Sequence, residues 1–244
     1  KPKSMTTYYI GIDDTDIIGS PGTNQLARRL MREMSDRFEP IVAVRHQLFF
    51  DPRVPYTSKN SSASLQFKPR AADASIEELT DRIRSFMLDE WFVEGSDPGL
   101  CAATHVPKAV QQFGLHCKTE LSSQGEAMGM AANHPDIHLE GLEGTRDGLI
   151  GALAAIGLVA SGNDGRVVAI GEKDDDLAFE TPVETLLAYG VEEFRDAHTS
   201  APLPCPQGDT IIDIGKHLRP NWRNHRIVLY IEPDASGWRA VRKI

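Results

Sequence analysis

Three aspartates stand within four residues at the end of a short apolar strand pattern. The segment GIDDTD, residues 11–16, directly follows Tyr8-Tyr9-Ile10. Clustered carboxylates repel one another, and removing them from water costs free energy unless a cation lies nearby. Mg²⁺ takes one or two carboxylates together with phosphate oxygens of a substrate. The spacing therefore predicts a metal site at Asp13, Asp14 and Asp16, with a plain polar loop as the alternative.

A glycine turn and a helix follow the acidic segment. Residues 19–22 read Gly-Ser-Pro-Gly, which is typical of a turn, and from Thr23 apolar residues recur at helical spacing. A helix N-terminus offers free N–H groups to an anion. Thr23 fits two interpretations, because it could cap this helix or face a phosphate and act as a phosphoacceptor. Residue type alone favours the cap.

A second segment combines glycines with a cation ahead of a helix. Glu143–Gly148 precedes an apolar helix pattern, so its backbone N–H groups and the Arg146 guanidinium suit an anion. The segment is not a P-loop, since it has no GK[ST]. A glycine turn with Thr145 or Asp147 as the N-cap explains the same residues equally well.

Other polar groups give weaker indications of a site. Lys59 stands among hydroxyls in Tyr56–Ser62, which suits a phosphate ligand, but a solvated loop is the simpler interpretation. His134 and His138 flank a proline, so a regular helical metal pair is doubtful. The acidic run at residues 174–176 is typical of an exposed, solvated turn.

The bulk composition excludes several classes of protein. The chain has 244 residues and is 41% hydrophobic, which suits one large or two small globular domains. Its net charge of -9 argues against a broad nucleic-acid-binding surface. Three cysteines without a CxxC pair support neither a zinc ribbon nor a disulfide framework, so we expect a cytoplasmic setting. No apolar run has the length of a membrane span.

Hydrophobic periodicity predicts alternating strands and helices. The predicted strands are Thr6–Ile12, Ile41–Phe50, Leu65–Lys68, Leu100–Ala103, Ile137–Leu139, Arg166–Gly171, Thr210–Ile214, Arg226–Ile231 and Trp238–Val241. The predicted helices are Thr23–Arg37, Ser75–Trp91, Pro107–Phe113, Glu120–Ala132, Gly148–Leu158 and Pro182–Tyr189. Ser75 and Glu78 have the spacing of a capping box. The proline-rich segment Thr199–Pro206 predicts a linker before a small β extension.

Together, these motifs resemble the archaeal isoleucine-tRNA agmatinylcytidine synthetase. In that family the first motif reads GIDDTDS, and a turn ending in GMCTTY follows. PYTSKNSSA at residues 55–63 is similar to the family's PWKTRGNGA, and GTRDGLIGALAAI at residues 144–156 is similar to its GRGLIGALAAI. The three motifs occur in the same order and span roughly the first three quarters of the chain.

The resemblance implies an unusual kinase domain with an associated ferredoxin-like domain. That family binds ATP and Mg²⁺, phosphorylates its own threonine and activates a tRNA cytidine for attack by agmatine. By resemblance, Asp13, Asp14 and Asp16 hold Mg²⁺ or order the triphosphate, and Thr23 is the phosphate-transfer residue. Asp13 or Asp14 could instead be the base that activates an attacking hydroxyl. The residues that the resemblance assigns to nucleotide binding are Thr15, Gly22, Lys59, Gly144, Arg146 and Gly148.

The chain also departs from that family. Ile17 replaces the serine after DDTD, and Asn24 and Gln25 replace a threonine and a tyrosine. The family's OB-fold and zinc ribbon have no counterpart in the sequence, since only about forty residues follow the predicted linker. With the acidic net charge, this disfavours tRNA as a substrate for this chain alone.

These observations lead to an expected architecture and function. We expect an α/β fold with a kinase-like domain at 5–62 and 135–198, an inserted ferredoxin-like α+β domain at 63–134, and a linker with a small C-terminal β extension at 199–244. The expected function is an ATP- and Mg²⁺-dependent phosphotransferase or ligase acting on a small molecule. The alternatives are a subunit of a tRNA cytidine-modifying enzyme that needs a separate RNA-binding partner, and a non-catalytic nucleotide sensor.

Overall fold

A twelve-stranded mixed sheet with six α-helices forms the structure. The computed structural model describes residues 6–53, 60–235 and 237–243. The strands are β1 Tyr8–Asp13, β2 Phe38–Gln47, β3 Ser61–Pro69, β4 Gly99–Ala103, β5 Ile137–Gly141, β6 Arg166–Ile170, β7 Glu180–Pro182, β8 Glu193–Asp196, β9 Ile211–Asp213, β10 Asn221–Arg223, β11 Arg226–Asp234 and β12 Gly237–Ala240. The helices are α1 Thr23–Glu33, α2 Ile76–Phe86, α3 Lys108–His116, α4 Gln124–Ala132, α5 Gly148–Ser161 and α6 Val183–Tyr189. The predicted α/β class is confirmed.

The first four strands have a ferredoxin-like connectivity. They follow the chain order β1-α1-β2-β3-α2-β4, and within the sheet they lie in the order β4-β1-β3-β2 with antiparallel neighbours. The predicted domain limits at residues 63 and 134 stay a prediction. In the structure, β3 and β4 from the predicted insert both pair with β1, so residues 63–134 share a sheet with the N-terminal segment.

Helices cover both faces of this part of the sheet. On one face the apolar side of α1 (Leu26, Leu30 and Met31) packs against the core formed by β1, β3 and α2. On the other face, α5 packs with α3 against β1 and β4. No helix in the described ranges is long and apolar enough to cross a membrane.

Glycines let α5 approach the sheet closely. A Cβ on Gly11 of β1 would lie 2.0 Å from the Ala152 carbonyl oxygen, and a Cβ on Gly99 of β4 would lie 2.1 Å from the Gly148 carbonyl oxygen. No side chain fits at either position. The close approach fixes the N-terminus of α5 beside the carboxyl end of β1, where the acidic segment begins.

The C-terminal strands continue the same sheet. The path runs from β2 through β6, β10, β11, β12 and β9 to β7, and β8 pairs in parallel with β11. The strands β7, β8 and β10, which periodicity did not predict, have only three or four residues each. Because β10 pairs with β6, the predicted β extension is joined to the main sheet.

Several predicted element ends differ from the structure. Helix α1 ends at Glu33 instead of Arg37, because the Phe38 and Arg37 N–H groups both donate to the Met34 carbonyl in a turn. Ser75 accepts the Glu78 N–H as predicted, at 3.2 Å. The Glu78 carboxylate pairs with Arg37, at 2.8 Å, and so competes with the reciprocal half of the predicted capping box.

Candidate functional site

A cleft of about 200 Å³ opens at the carboxyl end of β1. Asp13 ends this strand, and Asp14 follows with φ 52°, a left-handed conformation that aspartate adopts more readily than most residues. The cleft is lined by the acidic segment and by residues from four other parts of the chain: Asp13, Asp14, Asp16, Thr23, Leu48, Phe49, Arg53, Asn60, Ser61, Cys117, Glu120, Leu121, Ser122, Asp147, Ile150 and Gly151.

Negative charge accumulates on the two central carboxyl groups. Burial raises the pKa of Asp13 to about 8, and the charges of Asp14 and Asp16 add to this effect. Burial also raises the pKa of Asp14 to about 7, with the carboxylates of Asp97, Asp16 and Asp147 contributing in the same direction. Each pKa unit corresponds to about 1.4 kcal/mol between the two protonation states. A bound cation would relieve this repulsion.

Thr23 lies at the start of α1 with its hydroxyl held by two neighbours. Its Oγ1 donates to Asp16 Oδ1 at 3.0 Å, and its N–H donates to the same oxygen at 3.3 Å. The Thr15 hydroxyl lies 3.0 Å from Thr23 Oγ1. Gly22, with an extended backbone, occupies the N-cap position. The cap interpretation of Thr23 is therefore wrong, because Asp16 satisfies the helix N-terminus and leaves the Thr23 hydroxyl lining the cleft.

The three predicted metal ligands do not form one ligand set. Within the described part of the chain, no three His, Cys, Asp or Glu side chains stand close enough to hold a metal ion together. Asp16 bonds to Thr23 instead. Asp13 and Asp14 still offer the oxygen donors that Mg²⁺ prefers, and this ion commonly completes its shell with water and phosphate. The residues fit a Mg²⁺ that arrives with a phosphorylated ligand.

The glycine loop before α5 already surrounds a carboxylate of the protein. The Thr145 N–H donates to the Asp97 side chain, and the Gly148 N–H donates to the Asp97 carbonyl at 3.1 Å. Gly144 has φ 64°, and a Cβ there would lie 1.9 Å from Asp97 Oδ1. Asp97 thus takes the place that the sequence suggested for a phosphate. It stood unremarked between two glycines in the sequence.

The predicted phosphate contacts of this loop do not reach the cleft. Gly144 and Arg146 are exposed and do not line the cleft. Gly148 is buried, and its backbone packs so closely on Asp97 and Gly99 that a Cβ would lie 2.5 Å from the Asp97 carbonyl oxygen. Its role in the structure is packing. The prediction that these three residues contact a nucleotide lacks support from their positions.

Gly151 is a cleft residue that the sequence did not single out. A Cβ at Gly151 would lie 1.7 Å from Asp13 Oδ2, so only glycine leaves room for the Asp13 carboxylate. The small residues Gly148, Gly151 and Ala155 recur along α5 at helical spacing. That pattern predicts a helix face pressed against backbone, and it could have pointed to Gly151.

Lys59 lies outside the described residues. The residues on either side of the gap border the cleft. Asn60 donates to the Phe49 carbonyl at 2.8 Å, and the Arg53 guanidinium forms two bonds to the Asp51 carboxylate at 2.7 and 2.8 Å.

The fold resembles that of one class of protein, the tRNA-modifying synthetases. No known family model matches the chain. The particular relative is the isoleucine-tRNA 2-agmatinylcytidine synthetase TiaS of Thermococcus sibiricus, 29% identical over 158 residues that cover 63% of this chain and 35% of that protein. The chain thus spans about a third of the length of the curated relative it matches. The predicted resemblance to part of this synthetase is confirmed.

Solved structures of TiaS show a similar fold. Apo TiaS has a TM-score of 0.52 at 22% identity, over 62% of this chain and 35% of that chain. TiaS in complex with its isoleucine tRNA, AMPCPP and agmatine has a TM-score of 0.52 at 16% identity, over 84% of this chain and 51% of that chain. The likeness to these structures concerns the fold alone. The curated relative favours the tRNA-modifying alternative over a small-molecule acceptor, and the expectation that tRNA is disfavoured finds no support.

Proposed function

We propose that the chain is the ATP-using part of an enzyme that modifies a base in tRNA. The observation that carries the proposal is the Thr23 hydroxyl, hydrogen-bonded to Asp16 beside the two repelling carboxyl groups of Asp13 and Asp14. The match to an isoleucine-tRNA agmatinylcytidine synthetase, whose solved complexes contain tRNA, ATP and agmatine, supports ATP as the nucleotide and tRNA as the acceptor.

Thr23 and Asp16 have the geometry of a nucleophile and its base. A hydroxyl becomes a useful nucleophile when a nearby group accepts its proton, and the 3.0 Å bond to Asp16 Oδ1 lies within the range for such a transfer. Thr15 fixes the direction of the Thr23 oxygen from the other side, at 3.0 Å. ATP would supply the phosphoryl group that Thr23 accepts.

Asp13 and Asp14 would hold Mg²⁺ beside the phosphates. The ion would neutralise negative charge on the transferring phosphoryl group, which is the main catalytic need in this chemistry. Its own positive charge would also lower the pKa values of both carboxyl groups from the high values set by burial. Gly151 keeps the Asp13 carboxylate in place. Thus Asp16 serves Thr23, and the other two aspartates serve the metal.

The acceptor separates this proposal from a small-molecule reaction. A net charge of -9 argues against a broad phosphate-binding surface, so RNA would need a local basic strip or a further module. We infer that other protein segments or a partner chain contribute to RNA binding, as the chain spans only about a third of its curated relative.

RNA-dependent ATP turnover tests the proposal. Purified protein is incubated with ATP and Mg²⁺, with a bulk tRNA fraction or with the same fraction after digestion by ribonuclease. We expect intact tRNA to raise ATP consumption and the digested fraction to leave it at the basal rate. Asp14→Asn should abolish the stimulated rate, because it removes a charged metal ligand. Equal rates with both fractions would contradict a tRNA acceptor.

A small-molecule phosphotransferase or ligase is the second candidate. The observation that favours it is the limited volume of the cleft, about 200 Å³, together with the acidic net charge. It predicts that ATP consumption responds to small metabolite extracts and not to RNA. Tight ATP binding without turnover under either condition would instead identify a nucleotide sensor.

A further inference from the structure

Two arginines face each other across adjacent strands near the acidic cleft. Arg45 of β2 and Arg166 of β6 are directly paired in register, so their side chains emerge on the same face of the sheet. Ala43, two residues before Arg45, belongs to the core under α1, which places the pair on the α1 face. Like charges directly opposite each other on neighbouring strands destabilise a sheet.

The protein does little to neutralise this pair. Among the described residues, the Arg166 guanidinium has neither a hydrogen bond nor an ion pair, and its Nε is buried without a partner. Arg45 donates only to the amide oxygen of Gln47, at 2.8 Å. Burial lowers the pKa of both groups, and for Arg166 the charges of Arg45, Arg219 and Arg242 lower it further.

Other arginines on the same side of the molecule are paired with acids. Arg28 and Arg219 both bind Asp175, at 3.2 and 2.6 Å, and Arg32 binds Asp174 at 2.9 Å. The fold therefore supplies carboxylates to cations in this region. The lack of one at Arg45 and Arg166 is a local property of that pair.

A third arginine extends the pair onto the next strand. Arg166 is paired with Asn221 of β10, and Arg223 projects from the same face two residues later. The Arg223 guanidinium donates to the backbone oxygens of Gly165 and Trp222, at 3.3 and 2.7 Å, which fixes its position. Arg45, Arg166 and Arg223 thus form a cationic strip across three adjacent strands.

The strip shares a sheet row with the acidic segment. Ile12, the residue before Asp13, is paired with Ala63, and Ala63 is paired with Arg45. Strands in a sheet lie about 4.8 Å apart, so Arg45 begins about 10 Å from β1 and the strip extends away from it. A ligand with several phosphates could contact both the strip and a metal at Asp13.

We propose that Arg45, Arg166 and Arg223 form a binding strip for the phosphate groups of a ligand that reaches the cleft. Guanidinium groups suit this ligand, because they remain charged and donate paired hydrogen bonds that match phosphate oxygens. Two sources provide this chemistry: the phosphates of a nucleotide and the backbone of a nucleic acid. The site does not depend on the proposed turnover at Thr23, since binding alone defines it.

Binding measurements with matched variants test the strip. The probes are inorganic triphosphate, ATP and a single-stranded RNA of about 12 nucleotides, a length that a groove of one domain can contact. The Arg45→Gln/Arg166→Gln double variant is compared with Arg239→Gln, which changes an exposed arginine paired with Glu232. We expect the double variant to lose at least about tenfold in affinity for one probe class, and the control to lose little.

The pattern of losses identifies the source of the phosphate. Weaker binding of triphosphate and ATP alone assigns the strip to the nucleotide. Weaker binding of RNA, with a salt dependence reduced by about one per lost contact, assigns it to a nucleic-acid backbone. Unchanged affinity for all three probes would overturn the proposal, even if ATP turnover at the cleft is established.

Thermal unfolding guards against a trivial result. Removing two facing charges should leave the melting temperature unchanged or raise it, because the repulsion between them disappears. Arg45→Lys/Arg166→Lys keeps the charge and removes the paired donors. We expect it to retain melting temperature and to bind phosphate more weakly than the native protein. Full affinity in the lysine variant would contradict the need for guanidinium geometry.

Discussion

Asp13 depends on a glycine that the helix presents to it. Replacing Gly151 with alanine would place a Cβ 1.7 Å from Asp13 Oδ2, and the carboxylate would have to leave its position. We expect Gly151→Ala to cost about 1–3 kcal/mol of unfolding free energy and to abolish ATP turnover. Urea unfolding and an ATPase assay measure the two effects.

Gly129→Ala is the matched control for this change. Gly129 lies in α4 with no atom within 4 Å of an added Cβ, so alanine should stabilise the helix by up to about 1 kcal/mol. Turnover should not change. If both alanine variants gave the same stability and activity, the steric role of Gly151 would be wrong.

At the residue scale, the sequence located the acidic cleft but not the division of labour within it. Charge clustering pointed to Asp13 and Asp14, and both lie in the cleft. The bond from Thr23 to Asp16 depends on how a turn folds back onto α1, which spacing does not specify. Asp97 escaped notice because its partners in the glycine loop lie 48 or more residues later in the chain.

At the element scale, Asp97 joins the carboxyl end of β1 to the start of α5. Its N–H donates to the Asp14 carbonyl at 3.1 Å, and its side chain accepts the Thr145 N–H. Asp97→Ala would leave the Thr145 N–H without this acceptor. We expect a loss of about 1–3 kcal/mol and faster amide hydrogen exchange in residues 145–149.

Asp209→Ala provides the comparison, since Asp209 is exposed in a turn remote from α5 in sequence. It should change neither the unfolding free energy nor exchange in residues 145–149. Unaltered exchange in the Asp97 variant would show that the turn holds without its carboxylate.

Helices were predicted better than short strands for a physical reason. The apolar stripe of α1 and the apolar composition of α5 extend over eleven and fourteen residues, long enough for the periodicity to show. Strands such as β7 and β10 have three residues each, and they are defined by the partners that they pair with. The ferredoxin-like order of β1 to β4 likewise depends on pairing between distant segments.

At the scale of the whole molecule, one buried ion network ties three parts of the chain together. His46 of β2 is fully buried, with Nδ1 2.8 Å from Asp164 Oδ2 and Nε2 2.8 Å from the Ser64 hydroxyl. Lys118, just after α3, lies 2.6 Å from Asp164 Oδ1. Burial alone would raise the pKa of Asp164, but the bonds from His46 and Lys118 outweigh it and lower this pKa to about 2.

This shift predicts a pH-dependent contribution to stability. Because the folded pKa lies below the ordinary value of 3.8, the contribution is complete above pH 4 and disappears as the pH falls towards 2. A shift of this size corresponds to about 2 kcal/mol. We expect the unfolding free energies of the native protein and Asp164→Asn to differ more at pH 7 than at pH 2.5, as measured by urea titration. An equal difference at both values would rule out this source of stability.

The continuity of the sheet was beyond the reach of composition. A proline-rich segment suggested a separate extension after residue 199, yet β10 pairs with β6 and β11 pairs with β8. The cationic strip also exists only because β2, β6 and β10 are neighbours in this sheet. Net charge alone pointed away from nucleic acid, since a sum over the chain conceals such local arrangements.

The most direct test of the proposed chemistry is the intact mass of the protein after incubation with ATP and Mg²⁺. Thr23→Val serves as the control, because it keeps the shape of the side chain and removes the hydroxyl that donates to Asp16. We predict that the native protein gains the mass of one phosphate and that the variant gains none. No gain in the native protein while ATP binds, or an equal gain in both proteins, would contradict phosphoryl transfer to Thr23.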